Sequence, residues 1–166
     1  PSVPGMRLYN VFKAALTRAG VQVLLNMPVV RMITEGNHAQ AAMVQNVVRE
    51  TGYRAKNVIL ATGGLYGGGI VSDYHGDLRE TVFGLPVTGA GSLGDWFAER
   101  FIPADHAIHY AGIAADVSLR PVDASGRARY DNVRVVGRAL AGYNGPREGS
   151  TEGVWIASAY RAISTL

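Results

Sequence analysis

Residues Asn57–Gly69 read NVILATGGLYGGG, an apolar run that stops abruptly in glycines. The run Val58–Thr62 is short, β-branched and bounded by glycine, which reads as a strand buried on both faces. Glycine immediately after a strand permits a tight turn and lets backbone approach another surface closely. Such a loop either carries backbone to a bound group or simply turns the chain.

A second segment repeats the pattern. Asn132–Ile163 reads NVRVVGRALAGYNGPREGSTEGVWIASAYRAI. It predicts a strand over Asn132–Val136, a turn at Gly137, a loop, and a helix over Glu152–Ile163 with Ser150 or Thr151 as N-cap. Upstream, Leu8, Phe12, Ala15, Leu16 and Ala19 recur at helical spacing and Gly20 follows as a stop, so Met6–Ala19 is predicted as an amphipathic helix. Val21–Leu25 reads as a short buried strand. Helix followed at once by strand is half of a βαβ unit, so the fold class is α/β with Val21–Leu25, Val58–Thr62 and Asn132–Val136 parallel in one sheet.

Between the parallel strands, Val29–Thr34, a turn at Glu35-Gly36-Asn37, and Ala41–Arg49 read as strand, turn, strand. Gly52 reads as a further turn and Tyr53–Ala55 as a third short strand. This is an inserted antiparallel β meander. From Leu65 to Pro103 the pattern weakens, with a helix expected over Leu93–Phe101. Ile113–Leu119 reads as a strand and Ala124-Ser125-Gly126 as a turn.

The chain has 166 residues, enough for one domain with a core, and its 48% hydrophobic and 17% charged residues exclude a disordered chain. Its 21 glycines lack a period, which excludes collagen. The absence of cysteine removes disulfides, thiolate metal sites and thiol catalysis. The net charge of +3 is a mild basic excess. Arg120, Arg127, Arg129, Arg134 and Arg138 cluster without interleaved aromatics, so no nucleic-acid partner is expected. No apolar run reaches the roughly 20 residues that span a bilayer, so no transmembrane segment is expected. The histidines show no ligand spacing with carboxylates, so no metal is expected. The chain begins without methionine and reads like a piece of something longer.

The named phosphate loops fail. No Gly-Lys is followed by Ser or Thr, which removes the Walker loop. The glycines after Val58–Thr62 do not fit GxGxxG, and no clear helix follows them. Yet two glycine-ended strands in one parallel sheet put two backbone loops at the same carboxyl edge, where open α/β sheets bind ligands. Gly153 lies in the first turn of the last helix, where glycine costs up to about 1 kcal/mol against alanine. Either a ligand approaches the free N–H groups there, or helix–sheet packing needs a small residue.

VILATGG at Val58–Gly64, VRVVGRALAG at Val133–Gly142 and the closing EGVWIASAYRAI resemble the second half of flavoproteins of the fumarate reductase and succinate dehydrogenase class. More narrowly, PSVPGMRLYNVF at the start, GGGIVSDYHGDLRETVFGLPV at Gly67–Val87 and DVSLRPVD at Asp116–Asp123 resemble the family of B subunits of anaerobic glycerol-3-phosphate dehydrogenases. The similarity covers nearly the whole chain. It implies a Rossmann-like FAD/NAD(P)-binding domain, of which residues 1–166 are the carboxyl-terminal part. The N-terminal GxGxxG segment of such domains is not among these residues.

The resemblance also implies an activity: oxidation of glycerol 3-phosphate to dihydroxyacetone phosphate, with electrons passed to the quinone pool in anaerobic respiration. The partners it implies are a catalytic A subunit and a membrane-associated iron–sulfur C subunit. The location it implies is cytoplasmic, peripheral to the inner membrane through those subunits. The implied cofactor is FMN, although the sequence type is that of FAD proteins. Other readings are a non-catalytic flavin or electron-relay subunit that binds its partner, or a related flavoprotein acting on a dicarboxylate or a ketosteroid.

By the same resemblance Thr62, Gly63 and Gly64 form one cofactor-binding element, Gly137 and Gly142 a second, and Glu152, Gly153 and Val154 a third. Related flavoproteins carry an acid where this chain has Arg138, which either meets a phosphate or faces solvent. For substrate chemistry a base must take a hydroxyl proton while hydride leaves carbon. His75 and His109 are the candidate bases, and Arg79 the candidate phosphate clamp. The isolated chain is expected to fold, to bind flavin weakly and to leave glycerol 3-phosphate unoxidised.

Overall fold

A computed structural model describes residues 2–100 and 105–166. The chain opens with helix α1 (Val3–Arg18), started by the Ser2 hydroxyl accepting from the Gly5 N–H and stopped before left-handed Gly20. Strands β1 (Val29–Glu35), β2 (His38–Gln45) and β3 (Glu50–Arg54) follow as a three-stranded antiparallel sheet in sequential order. The β1–β2 turn falls at Gly36 as expected, with φ at +56°.

The second turn does not fall at Gly52, which pairs with Met43 inside β3. It falls at Asn46–Arg49, because the Asn46 Oδ1 accepts the N–H groups of Val48 and Arg49 and so turns the chain earlier. Strand β2 therefore ends at Gln45 instead of running to Arg49.

The segment that decides the fold then forms β4 (Val58–Leu60) and the one-turn helix α2 (Gly64–Gly67). A small hairpin, β5 (Ile70–Ser72) with β6 (Leu78–Glu80), comes next. Strand β7 (Val133–Val135) pairs with β4 in parallel, Val58 opposite Val133 and Leu60 opposite Val135. The chain closes with α3 (Gly145–Glu148) and α4 (Thr151–Ser164), the latter following Ser150 as N-cap.

The parallel pairing of β4 and β7 is thus as predicted, but β4 is buried on one face only, with Leu60 inside and Ile59 exposed, and Val21–Leu25 is not a strand of that sheet. It lies extended and mostly exposed, with Val21, Val23 and Leu25 about half accessible, and among the described residues no strand pairs with it. Apolar character alone does not make a strand without a ladder partner. The helix expected over Leu93–Phe101 is a single 3-10 turn, Leu93–Asp95, whose continuation is loop; Phe101 itself lies outside the described residues. Ile113–Leu119 is not a continuous strand either. Isolated bridges at Ile113 and Ala115 give way to a turn in which Leu119 has φ +63°. The Asp116 carboxylate drives that turn by accepting the N–H groups of Ser118 and Arg120.

The main core lies beneath the parallel pair. Leu60, Val133, Val135, Leu85, Ile113, Tyr130 and Ala139 are buried together, each large side chain contributing about 1.5–3 kcal/mol. Buried Asn132 joins this layer to the antiparallel sheet: its Oδ1 accepts the Ala39 N–H and its Nδ2 donates to the carbonyls of Ala39 and Lys56. Arg134, from the basic cluster, is buried. Its guanidinium donates to the carbonyls of Asp131, Val133 and Thr165, which fixes the end of α4 against β7. No helix among the described residues is long and apolar enough to cross a membrane.

Candidate functional site

Strands β4 and β7 end side by side, and the two glycine loops leave from the same edge. Between them and α4 lies a cleft of about 470 Å³, lined by Ala61, Gly63, Tyr66, Gly67, Val136, Gly137, Arg138, Trp155 and Ala159. That volume falls in the range of small-molecule sites.

The first lip is built by glycines packing on their own loop. Gly63 turns left-handed at φ +81°, and a Cβ there would sit 2.9 Å from the Gly67 Cα. A Cβ on Gly64 would sit 2.3 Å from the Arg138 carbonyl oxygen, so the two loops touch at that point. Thr62 stands beneath Gly69, its hydroxyl buried without a partner, and belongs to the loop's floor. The second lip turns at Gly137, φ +63°, whose N–H donates to Ser158 Oγ of α4 at 3.0 Å. That bond fixes the helix against the turn.

The charged wall of the cleft is Arg138. Its guanidinium lies over the Tyr66 ring at 4.9 Å and over the Trp155 ring at 5.3 Å. It does not simply face solvent: it is half-buried between two aromatic faces, each of which holds a cation electrostatically. Among the described residues no carboxylate pairs with it. An unpaired guanidinium with donors to spare is suited to a phosphate or a carbonyl.

The predicted site residues divide. Gly63 and Gly137 line the cleft, and Thr62 and Gly64 support it from behind. Gly142 is exposed, with φ +87°, and its N–H donates to the Tyr110 carbonyl. Glu152, Gly153 and Val154 start α4 just before Trp155 and do not line the cleft themselves. A Cβ on Gly153 would meet nothing within 4 Å, so helix–sheet packing is not what keeps that residue small. His75 and Arg79 sit exposed on the β5–β6 hairpin and line no part of the cleft.

His109 is placed otherwise. It lines a second cavity of about 20 Å³ behind the cleft, with Tyr66, Arg138 and Tyr143. Its Nδ1 lies 2.6 Å from the Tyr66 hydroxyl. Burial lowers its pKa below the ordinary imidazole value, His106 and Arg138 lower it further, and Asp105 opposes them in part. Asp105 in turn anchors this corner, accepting from the Tyr110 hydroxyl, from Asn144 Nδ2 and from Arg147.

Tyr66 and Trp155 escape a sequence reading. The only signal for Tyr66 is an aromatic residue set inside a run of glycines, and Trp155 is one of several apolar residues of α4.

A parallel pair with two glycine loops and a cleft at its carboxyl edge is the place where open α/β sheets bind ligands. Residues 1–154 match the FAD binding domain family, and the chain belongs to it. FAD is therefore the cofactor of its class, and the glycine lips, aromatic walls and free guanidinium of the cleft suit such a group. Among named relatives, the chain is 36% identical over 162 residues to the B subunit of a probable anaerobic glycerol-3-phosphate dehydrogenase of Halobacterium salinarum, covering 98% of this chain and 38% of that protein. It is 28% identical over 167 residues to the B subunit of the anaerobic glycerol-3-phosphate dehydrogenase of Vibrio cholerae, covering 100% of this chain and 37% of that protein. The corresponding B subunit of Aliivibrio fischeri is 27% identical over 176 residues, covering 100% of this chain and 38% of that protein. The chain thus spans less than two fifths of the length of these relatives. No solved structure matches it.

Proposed function

We propose that this chain is the carboxyl-terminal part of the flavin domain of an oxidoreductase, of the type found in the B subunits of glycerol-3-phosphate dehydrogenases. The observation that carries the reading is the cleft at the ends of β4 and β7, walled by Gly63, Gly137, Arg138 and Trp155. The glycines let backbone meet a flat ring, Trp155 and Tyr66 supply apolar faces, and Arg138 supplies positive charge for an anionic group of the ligand. The flavin's main anion anchor, a glycine fingerprint at a helix start, lies outside these residues. FAD is the form favoured by the family, and FMN is the form favoured by the resemblance to the B subunits.

In this reading the substrate is glycerol 3-phosphate, the product is dihydroxyacetone phosphate, and electrons leave toward quinone through A and C subunits of one complex at the membrane. The names of the relatives support the substrate and a multi-subunit enzyme, since they are named as B subunits of probable or established anaerobic glycerol-3-phosphate dehydrogenases. The test is purification of the intact protein with its released cofactor identified by mass. A yellow protein carrying FAD or FMN, whose flavin absorbance bleaches with glycerol 3-phosphate, is expected. A colourless protein that takes up neither flavin would overturn the reading.

A further inference from the structure

Tyr66 belongs to α2, between the glycines of the first loop, and lines both the cleft and the smaller cavity behind it. Its hydroxyl is 2.6 Å from His109 Nδ1, and the two rings lie nearly parallel, 16° apart with centroids at 6.0 Å. A phenol has one proton to give. Burial and the neighbouring His106 and Arg138 favour the neutral imidazole, whose Nε2–H tautomer leaves Nδ1 to accept the Tyr66 proton. The phenol ring also meets the Arg138 guanidinium at 4.9 Å. The cavity of about 20 Å³ that Tyr66 and His109 line is large enough for one water, and Tyr143, whose buried hydroxyl has no partner among the described residues, also lines it. Tyr66 thus lines the cleft while its hydroxyl bonds a basic nitrogen that lines the smaller cavity, which is the pairing a proton transfer out of the cleft needs.

We propose that Tyr66 and His109 are the proton-transfer pair of the cleft: Tyr66 takes the hydroxyl proton of an alcohol ligand while its own proton passes to His109 Nδ1. The inference rests on the flavin oxidoreductase reading above and adds the acid–base residues to it. The ligand O–H bond breaks and a new O–H bond forms on the Tyr66 oxygen. The original Tyr66 O–H bond breaks and an N–H bond forms on the imidazole. A bound flavin would be the oxidant, the carbon-bound hydrogen leaving to it with its electron pair as the alcohol becomes a ketone. Tyr66 is the residue that touches the ligand, and His109 acts through it.

Two variants of the intact protein test this. Tyr66→Phe keeps the ring over Arg138 and removes the hydroxyl. His109→Gln keeps an acceptor for Tyr66 but cannot carry a proton. Both should retain flavin, read as absorbance per polypeptide, and both should slow flavin bleaching by glycerol 3-phosphate by about 10²–10⁴-fold. The wild-type bleaching rate should fall as His109 becomes protonated below neutral pH, and His109→Gln should lose that limb. Independently of turnover, the His109 imidazole should titrate by NMR below its ordinary range and move upward in Tyr66→Phe, because the lost hydrogen bond favours the neutral form. Bleaching at the wild-type rate in Tyr66→Phe, or a His109 titration that the substitution leaves unmoved, would overturn the pair alone. A wild-type flavin that neither glycerol 3-phosphate nor a panel of hydroxy acids bleaches would overturn the oxidoreductase reading and the pair with it.

Discussion

The two glycine loops look alike in sequence and are built on opposite principles. In Thr62–Gly69 most glycines are demanded by neighbours: an added Cβ would come within 2.9 Å of Gly67 at Gly63, 2.3 Å of Arg138 at Gly64, 2.6 Å of Thr62 at Gly67 and 2.1 Å of Thr62 at Gly69, while Gly68, left-handed at φ +78°, is the exception with nothing within 4 Å. In Gly137–Gly153 most glycines have room. Gly142, Gly149 and Gly153 would meet nothing within 4 Å, and Gly137 only the Trp155 ring at 3.5 Å; Gly145, against Thr151 at 2.6 Å, is the exception. The first loop is a self-packed knot that fixes one lip of the cleft. The second leaves room at most of its glycines, of which Gly137 lines the cleft. Glycine density in a sequence does not distinguish the two, because crowding is a property of residues brought together from elsewhere in the chain.

The largest effect that separates the loops is expected at Gly64. Gly64→Ala puts a Cβ against the Arg138 carbonyl, and the residue also holds φ +60°, where any side chain is strained. Backbone cannot yield as a side-chain tip can, so the loss should be roughly 3 kcal/mol or more. Urea denaturation should show the midpoint fall steeply. A midpoint within experimental error of the wild type would mean the loops do not touch there, and the contrast between them would collapse. This revises what Gly64 does for a cofactor: its substitution removes the fold of the lip before it can report on the ligand.

Arg138→Gln is next, and it strikes the open loop. The substitution leaves the turn at Gly137 untouched and removes the only charge on the wall of the cleft among the described residues. If Arg138 meets an anionic group of the flavin, a charge-assisted contact is lost and affinity should fall by about 10–100-fold. Riboflavin, which has no phosphate, should lose much less. Equal losses for FMN and riboflavin, followed by flavin fluorescence, would leave Arg138 as a packing residue between Tyr66 and Trp155.

Gly153→Ala should be milder and of opposite sign on stability. Nothing crowds its Cβ, and the position is helical, so the change should stabilise α4 by up to about 1 kcal/mol. Flavin retention should fall at the same time if ligand approaches that helix start. A more stable protein with unchanged flavin content would remove Gly153 from the cofactor element and leave it a neutral choice in an exposed turn.

These expectations also show which parts of the molecule were legible in sequence. β4, β7 and α4 were, because an apolar run ended by glycine and a 3.6-residue period ended by a cap are local signals that the pairing Val58–Val133 merely completes. The antiparallel sheet was legible too, apart from its second turn, where the Asn46 side chain outweighs the glycine that follows. Val21–Leu25 was misread because hydrophobicity announces burial without naming a partner, and α1 shows the same gap: its Leu8, Tyr9 and Phe12 are exposed. In the site, Gly63 and Gly137 were legible from strand ends. His109 was one of two candidate bases among four histidines, with nothing local to raise it above His75. Tyr66, Arg138 and Trp155 become one wall only through tertiary contact, which no spacing in the chain announces.

The smallest effect reads both loops through one side chain. His109 bonds to Tyr66 of the first loop and feels Arg138 of the second, and its pKa in the folded protein is lowered from the ordinary value of 6.5. A depressed histidine binds fewer protons folded than unfolded across the window below that value. Its contribution to stability is therefore fully present above about pH 6.5 and is lost as pH falls through the lower folded pKa. Burial is the first cause, so the shift should survive any single substitution in part. Arg138→Gln removes a repelling cation and should move the His109 titration upward, leaving it still below the ordinary range. Tyr66→Phe removes the bond to the neutral form and should move it the same way. The double variant should then shift by about the sum of the two if the loops act on His109 separately, since one influence is a hydrogen bond and the other a charge. A double variant that moves no further than Arg138→Gln alone would mean that the guanidinium holds the phenol in place. The second loop would then set the geometry of the first, and the open lip and the packed lip would be one device.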